Sequence, residues 1–274
     1  MEKIDVHCHV TKRKLNGVVS EVANIDKVLI EMKKYDIEKS VLLASYFPHK
    51  GSGVSNFRML DWINGRDEFY LFGSLDFKNY FYQGYNELEE LTNSNRLNGI
   101  KIYSTYQEID LNGEKLTKVL ELAGKNNLPV MFHTGCSYSA LREIGRDFVY
   151  EMVTAENLEF IVRRHEEINF IFSHMSKPYF DGLKSVTGKY KNAYTDMSGL
   201  INSAEDREDI PGNVEEIRKF LYECGPDKLL FGTDFPVQTH EDSVYFIEEA
   251  MKSFSSEDKE KVYYGNARRL IKQW

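Results

Sequence analysis

The sequence predicts an α/β protein, a single (β/α)8 TIM barrel spanning residues 1–274, and three observations lead there. Eight short apolar runs alternate with amphipathic segments along all 274 residues, at intervals of roughly one βα unit. The runs are near-continuous in Val, Ile, Leu and Phe, as expected of parallel strands buried on both faces. The polar residues able to do metal or acid–base chemistry gather where those runs end, which is where a barrel of this kind places its active site. A doubly wound open sheet is the alternative topology.

The first strand is Lys3 to Val10, KIDVHCHV. Alternation of side chains along a strand sends His7 and His9 to the same face with Cα atoms about 6.6 Å apart, close enough to share one cation. The same rule puts Asp5 on that face, two residues deeper, and Cys8 on the other. Asp26 to Tyr35 carries Val28, Leu29, Met32 and Tyr35 at helical spacing and leads into the strand Ser40 to Ser45. A helix over Val54 to Asn64 precedes the third strand, Phe69 to Leu75. A second long amphipathic stretch, Gln83 to Asn93, precedes the fourth, Gly99 to Ser104.

Leu116, Val119, Leu120 and Ala123 fall at i, i+3, i+4 and i+7, closing near Asn126 and Asn127, and Pro129 opens the fifth strand, PVMFHTG. Thr154 is placed to cap a helix carrying Leu158, Ile161 and Val162, with His165 on its apolar face as a core histidine. Asn169 to Ser176 forms the sixth strand and Ala193 to Gly199 the seventh. After a loop holding Pro211 and Gly212, a helix with Val214, Ile217 and Leu221 leads to the eighth, Lys228 to Pro236. No repeat beyond this rhythm, no low-complexity tract and no linker interrupts the chain.

Composition narrows the function. A formal net charge of −8 disfavours nucleic acid or an anionic membrane as partner. No run of 18 apolar residues appears and MEKIDVHCHV holds no signal-peptide core, so a cytoplasmic protein is expected. Cys8, Cys136 and Cys224 are far apart, which suits reduced thiols. No GxGxxG, P-loop or GxSxG element supports a nucleotide cofactor or a serine nucleophile. The expected partner is a small-molecule substrate, and a homodimer stays open.

Four of the seven histidines end strands: His7 and His9 on the first, His133 on the fifth, His174 on the sixth. Lys101 ends the fourth and Asp234 the eighth. Imidazole nitrogens with a carboxylate suit zinc and similar metals. The loops beyond hold aromatic and cationic groups, Tyr46, Phe47 and His49, then Tyr103 and Tyr106, Tyr138 and Arg142, Lys177 and Tyr179. These suggest a planar or carboxylate-bearing substrate, with Lys101, Tyr103, Arg142 and Lys177 as candidate contacts. His240 would lie near the mouth if its loop folds back.

The DxHxH start, HTG after strand five, SH after strand six, GTDFP after strand eight and the closing YYGNARRLI (Tyr263 to Ile271) resemble the amidohydrolase superfamily. More narrowly they resemble the amidohydrolase-related branch that holds aminocarboxymuconate-semialdehyde decarboxylase, resorcylate-type decarboxylases, hydrolases and lactonases. The resemblance implies one divalent metal ion, zinc in the first instance, held by His7, His9, His133 and Asp234. It further implies Asp234 as proton acceptor and His174 as the group that orients water or substrate. Lys101 would bridge two metals as a carbamate, meet substrate, or sit in a buried ion pair. Asp5 and Asp196 would fix imidazole orientation or serve as structural hydrogen-bonding partners. The implied activity is metal-dependent hydrolysis of a C–N or C–O bond through an activated water, with metal-dependent non-oxidative decarboxylation of an aromatic or enoic acid as the alternative.

Overall fold

Eight parallel strands lie side by side in chain order in the computed structural model, which describes residues 1–45, 53–135 and 154–271. They are β1 (Lys3–Cys8), β2 (Ile37–Leu43), β3 (Phe69–Gly73), β4 (Gly99–Ile102), β5 (Val130–Phe132), β6 (Phe170–Phe172), β7 (Ala193–Asp196) and β8 (Leu229–Leu230). The last strand returns to the first. Val6 N–H donates to Phe231 O at 3.0 Å, Asp234 N–H to His7 O at 2.7 Å and His9 N–H to Phe235 O at 2.9 Å. The predicted barrel is therefore the fold, nearly closed, and the open-sheet alternative falls.

Helices lie between the strands: α1 (Ile25–Lys34), α2 (Asn56–Trp62), α3 (Phe81–Asn93), α4 (Glu114–Lys125), α5 (Ala155–Arg164), α6 (Phe180–Lys189), α7 (Ile210–Cys224) and α8 (His240–Ala250). Their ends follow local chemistry. Asn24 accepts from Lys27 N–H, Thr154 from Asn157 N–H and Thr239 from Asp242 N–H, each satisfying an amide that a helix start leaves open. Shorter helices, α9 (Ser256–Glu260) and α10 (Asn266–Leu270), complete the described chain. No helix among the described residues is long and apolar enough to cross a membrane.

Two apolar clusters divide the core. Alternate residues such as Val130 and Phe132, Phe170 and Phe172 join the larger one, in which strands pack on helices. Their neighbours Met131 and Ile171 join Ile4, Val6, Val41, Leu43, Phe72 and Leu230 in a smaller one, with Ala267, Leu270 and Ile271 added from the C-terminal segment.

Several boundaries differ from expectation, most strands being shorter than the apolar runs that predict them. β2 begins at Ile37, ahead of Ser40. Pro211 and Gly212 lie in the first turn of α7, where proline's missing N–H costs nothing, and not in the loop before it. His165 is the residue that ends α5, partly exposed and 3.6 Å from Glu167, and not a core histidine on the helix face.

Candidate active site

β1 pairs with β2 out of step: Asp5 sits opposite Ser40 and Cys8 opposite Leu42, so three steps on β1 match two on β2. An extra residue of this kind re-aims the side chains around it. It separates Asp5 from His7, against the simple alternation expected from sequence. The Asp5 carboxyl accepts from the N–H groups of His7 and Thr233, both at 3.0 Å, and from the Thr233 hydroxyl at 2.7 Å. It thus ties β1 to the chain just beyond β8 without touching an imidazole of the cluster.

Past the bulge, His7 and His9 meet Asp234. His7 Nε2 and His9 Nε2 stand 3.4 and 3.2 Å from Asp234 Oδ1. Asp234 adopts a left-handed backbone, φ +60, which costs a non-glycine residue roughly 1–2 kcal/mol. The turn brings its carboxylate onto the two histidines and leaves its own N–H on His7 O. These three side chains offer donor atoms that all lie within 4.8 Å of one another, a grouping able to hold a metal ion. His7, His174 and Asp196 make a second grouping by the same measure.

His174 follows β6 in a short turn, Ser173–Ser176, in which His174, Met175 and Ser176 are all left-handed. Strain of that kind collects at functional sites. The His174 ring lies 4.7 Å from the ring of His7 and 4.7 Å from that of His133. His133, just past β5, belongs to neither donor grouping and reaches the cluster through His174. Tyr106 and Tyr103 pack on its other sides, with ring centroids at 4.8 and 6.3 Å.

The Nδ1 atoms of three imidazoles are held from outside the cluster. His7 Nδ1 faces Asp196 Oδ2 at 3.0 Å, His174 Nδ1 faces Ser198 O at 2.8 Å and His133 Nδ1 contacts the Thr105 hydroxyl. His7 Nε2 is buried and has no hydrogen-bond partner. A buried imidazole nitrogen facing a carboxylate oxygen is a donor pair suited to a cation.

Burial sets the protonation states. It lowers the pKa of His7 well below the usual imidazole value and that of His174 as well, so both are neutral. Burial pushes Asp234 up, but the His9 hydrogen bond and the nearby His7 and His174 outweigh it and hold the carboxyl below its ordinary range. Burial raises Asp5 to about 7 against its hydrogen bonds and lowers Lys101 to about 7. Neutral imidazoles beside an ionised carboxylate are the states a divalent cation requires.

Lys101 is fully buried on β4, donates to Ser173 Oγ at 2.7 Å and lies 5.5 Å from the Tyr103 ring. The buried Tyr103 hydroxyl donates to Ala44 O. Lys177 turns away from the cluster, donating to Leu200 O at 2.7 Å with Asp209 at 3.6 Å, and ties the loops beyond β6 and β7 together. His240 is not at the mouth: it is buried between Tyr35 and Phe235, with Nε2 3.6 Å from Asp5 Oδ2. Tyr46, Phe47, His49, Cys136, Tyr138 and Arg142 lie outside the described residues.

Sequence reasoning passed over Ser198, Thr105 and Gly199. The signal for the first was present: Ser198 stands two residues after Asp196 at a strand end. Gly199, φ +57, comes so close to the cluster that a Cβ there would lie 2.6 Å from Asp234 Oδ2 and 2.7 Å from His174 Nδ1.

Solved structures share this architecture at low identity. A probable 2-pyrone-4,6-dicarboxylic acid hydrolase from Acinetobacter baumannii, with citric acid bound, aligns with a TM-score of 0.69 and 16% identity, covering 98% of this chain and 99% of its own. An amidohydrolase from Burkholderia multivorans with bound zinc gives 0.71 and 14%, over 98% and 99%. The 5-carboxyvanillate decarboxylase from Sphingomonas paucimobilis gives 0.67 and 17%, over 98% of each. No curated protein matches the chain by sequence. The amidohydrolase family model matches residues 4–272, nearly the whole chain, around the cluster of His7, His9, His174 and Asp234, and the protein belongs to the amidohydrolase family.

Proposed function

We propose that this protein is a metal-dependent hydrolase of a C–N or C–O bond in a small molecule, using one divalent cation, zinc in the first instance. The observation that carries the reading is the orphaned, buried Nε2 of His7 facing the carboxylate of Asp234, beside His9. His7, His9 and Asp234 would hold the cation, with His133 as the expected fourth ligand. The zinc bound by the Burkholderia multivorans relative supports a metal in this family. When bound, such an ion polarises a substrate carbonyl and makes water acidic enough to ionise near neutral pH.

The chain's own groups do the rest. Asp234, ionised and aimed by its left-handed backbone, accepts a proton from water on one face of the cluster. His174 keeps its Nδ1 on the Ser198 carbonyl and presents Nε2 to orient water or substrate. Tyr103 and Tyr106 form an aromatic wall on His133 that suits a planar molecule.

Non-oxidative decarboxylation is the second reading, and the buried Lys101 amine favours it, since a carboxylate substrate beside it would hold it protonated as the counter-ion. The decarboxylase from Sphingomonas paucimobilis, named for a carboxylated ring, supports the same substrate class. The second reading alone requires a carboxylate on an aromatic ring or an enoic acid, whereas the first requires a hydrolysable C–N or C–O bond. Measuring bound metal in protein purified without chelator, then turnover of lactones, amides and hydroxybenzoates with carbon dioxide release followed in parallel, separates them. A metal-free enzyme with full turnover would remove both.

A further inference from the structure

His7 and His174 each have Nδ1 bound to a group that can only accept. For His7 this is Asp196 Oδ2 at 3.0 Å, for His174 the Ser198 carbonyl at 2.8 Å, so both rings carry their proton on Nδ1. The Ser198 hydroxyl stands 2.9 Å from His7 Nδ1 and 3.1 Å from His174 Nδ1, with its own proton donated to Asp196 Oδ1. Asp196 is fully buried and its two oxygens are differently engaged. Oδ1 accepts from the N–H of His174 at 3.0 Å, the N–H of Ser198 at 3.1 Å and the Ser198 hydroxyl, whereas Oδ2 faces His7.

We propose that Asp196 is a positioning residue that locks His7 in the Nδ1–H tautomer, so that its Nε2 lone pair faces the cation position beside Asp234. The inference rests on the metal site of the preceding subsection. Asp196 also pins the backbone of His174, which makes one carboxylate responsible for the ring state of a ligand and the seat of its neighbour. The Ser198 carbonyl sets the His174 tautomer independently.

This division has a sharp consequence for Asp196→Asn. The Oδ1 position meets three donors, so the amide oxygen must take it, and the NH2 group is left facing His7 Nδ1. An amide N–H there needs an unprotonated Nδ1, so the His7 proton moves to Nε2 and points at the cation position. His174 keeps its tautomer because its partner is backbone. Ser198→Ala leaves both rings unchanged, since each retains its acceptor.

Long-range 1H–15N spectra of the metal-free protein with 15N-labelled histidine rings read these states directly, with signals assigned by His7→Gln and His174→Gln. Wild type and Ser198→Ala should show both rings as Nδ1–H. Asp196→Asn should show His7 alone as Nε2–H, with zinc affinity lower by about 10- to 100-fold in chelator competition. A wild-type His7 protonated on Nε2 overturns the proposal whether or not the Asn variant folds. So does a folded Asp196→Asn whose His7 stays Nδ1–H. Wild-type protein with no measurable zinc affinity overturns the metal reading instead, and the spectra still decide what Asp196 does to the ring.

Discussion

At the residue scale, identity and protonation state separate the roles. Asp234 has a left-handed backbone, two imidazoles on one oxygen and a carboxyl held ionised. Asparagine there still offers an oxygen but cannot take a proton, so Asp234→Asn should keep the fold and lose about 10²- to 10⁴-fold in turnover. Retention of more than about a tenth of wild-type rate would show that another group is the base. His174→Ala should leave bound metal nearly unchanged while kcat and kcat/KM fall together by about 10²- to 10³-fold. Metal lost in step with activity would make His174 a ligand. His240 carries a different consequence. Burial lowers its pKa to about 4, both ring nitrogens lack hydrogen-bond partners, and the titratable groups near it are Asp5, Glu31 and Lys27. Between pH 6.5 and about 4 the unfolded chain binds a proton that folded His240 does not. Its contribution is therefore fully present above pH 6.5 and lost as pH falls, by roughly 3 kcal/mol across that window. His240→Phe, filling the same slot between Tyr35 and Phe235, should flatten this part of the stability curve in urea unfolding at pH 7 and pH 4.5, and an unchanged slope would show that other groups cause it.

At the element scale, the turn after β7 does more than its length suggests. Within four residues it supplies the Asp196 carboxylate to His7, the Ser198 carbonyl to His174, and a glycine backbone against Asp234. Gly199 takes φ +57, and an added Cβ would meet two cluster side chains at contacts far shorter than van der Waals distance. Gly199→Ala should displace Asp234 and His174, reducing turnover by at least about 10²-fold, as misplacement of about 1 Å can. The left-handed backbone alone costs alanine about 1–2 kcal/mol, with the side-chain clashes added to it, and cooperative urea unfolding checks that the variant still folds. A Gly199→Ala protein with wild-type turnover would mean that the loops shift freely and the site is not preorganised. The bulge in β1 is the second device at this scale, sending Asp5 to the amides of His7 and Thr233 while His7 and His9 meet Asp234.

At the scale of the whole molecule, the barrel brings residues more than 200 positions apart into one cluster, because β8 closes onto β1. A cation that binds only this folded arrangement stabilises it by mass action, about 2.7 kcal/mol at free zinc 100-fold above its Kd. Added zinc should therefore raise Tm and a chelator should lower it, with elemental analysis giving a ratio near one. No zinc-dependent shift in Tm would count against the site. A ratio near two that drops with Lys101→Ala would favour the bridging lysine instead, though Lys101 here donates to Ser173.

The sequence by itself determined the strand and helix order, the barrel, and the positions from which His7, His9, His133, His174 and Asp234 reach the site. Those features follow from periodicity and from which residue ends each apolar run, both local properties of the chain. Only the tertiary structure decided what depends on register and on contacts between distant strands. It moved Asp5 away from the imidazoles of the cluster, through one extra residue in β1 that no alternation pattern reveals. It turned Lys177 onto Leu200 O and buried His240 behind Asp5. It also paired His7 with Asp196 and His174 with Ser198, because an imidazole's free nitrogen is set by whichever acceptor another part of the barrel brings to the other one.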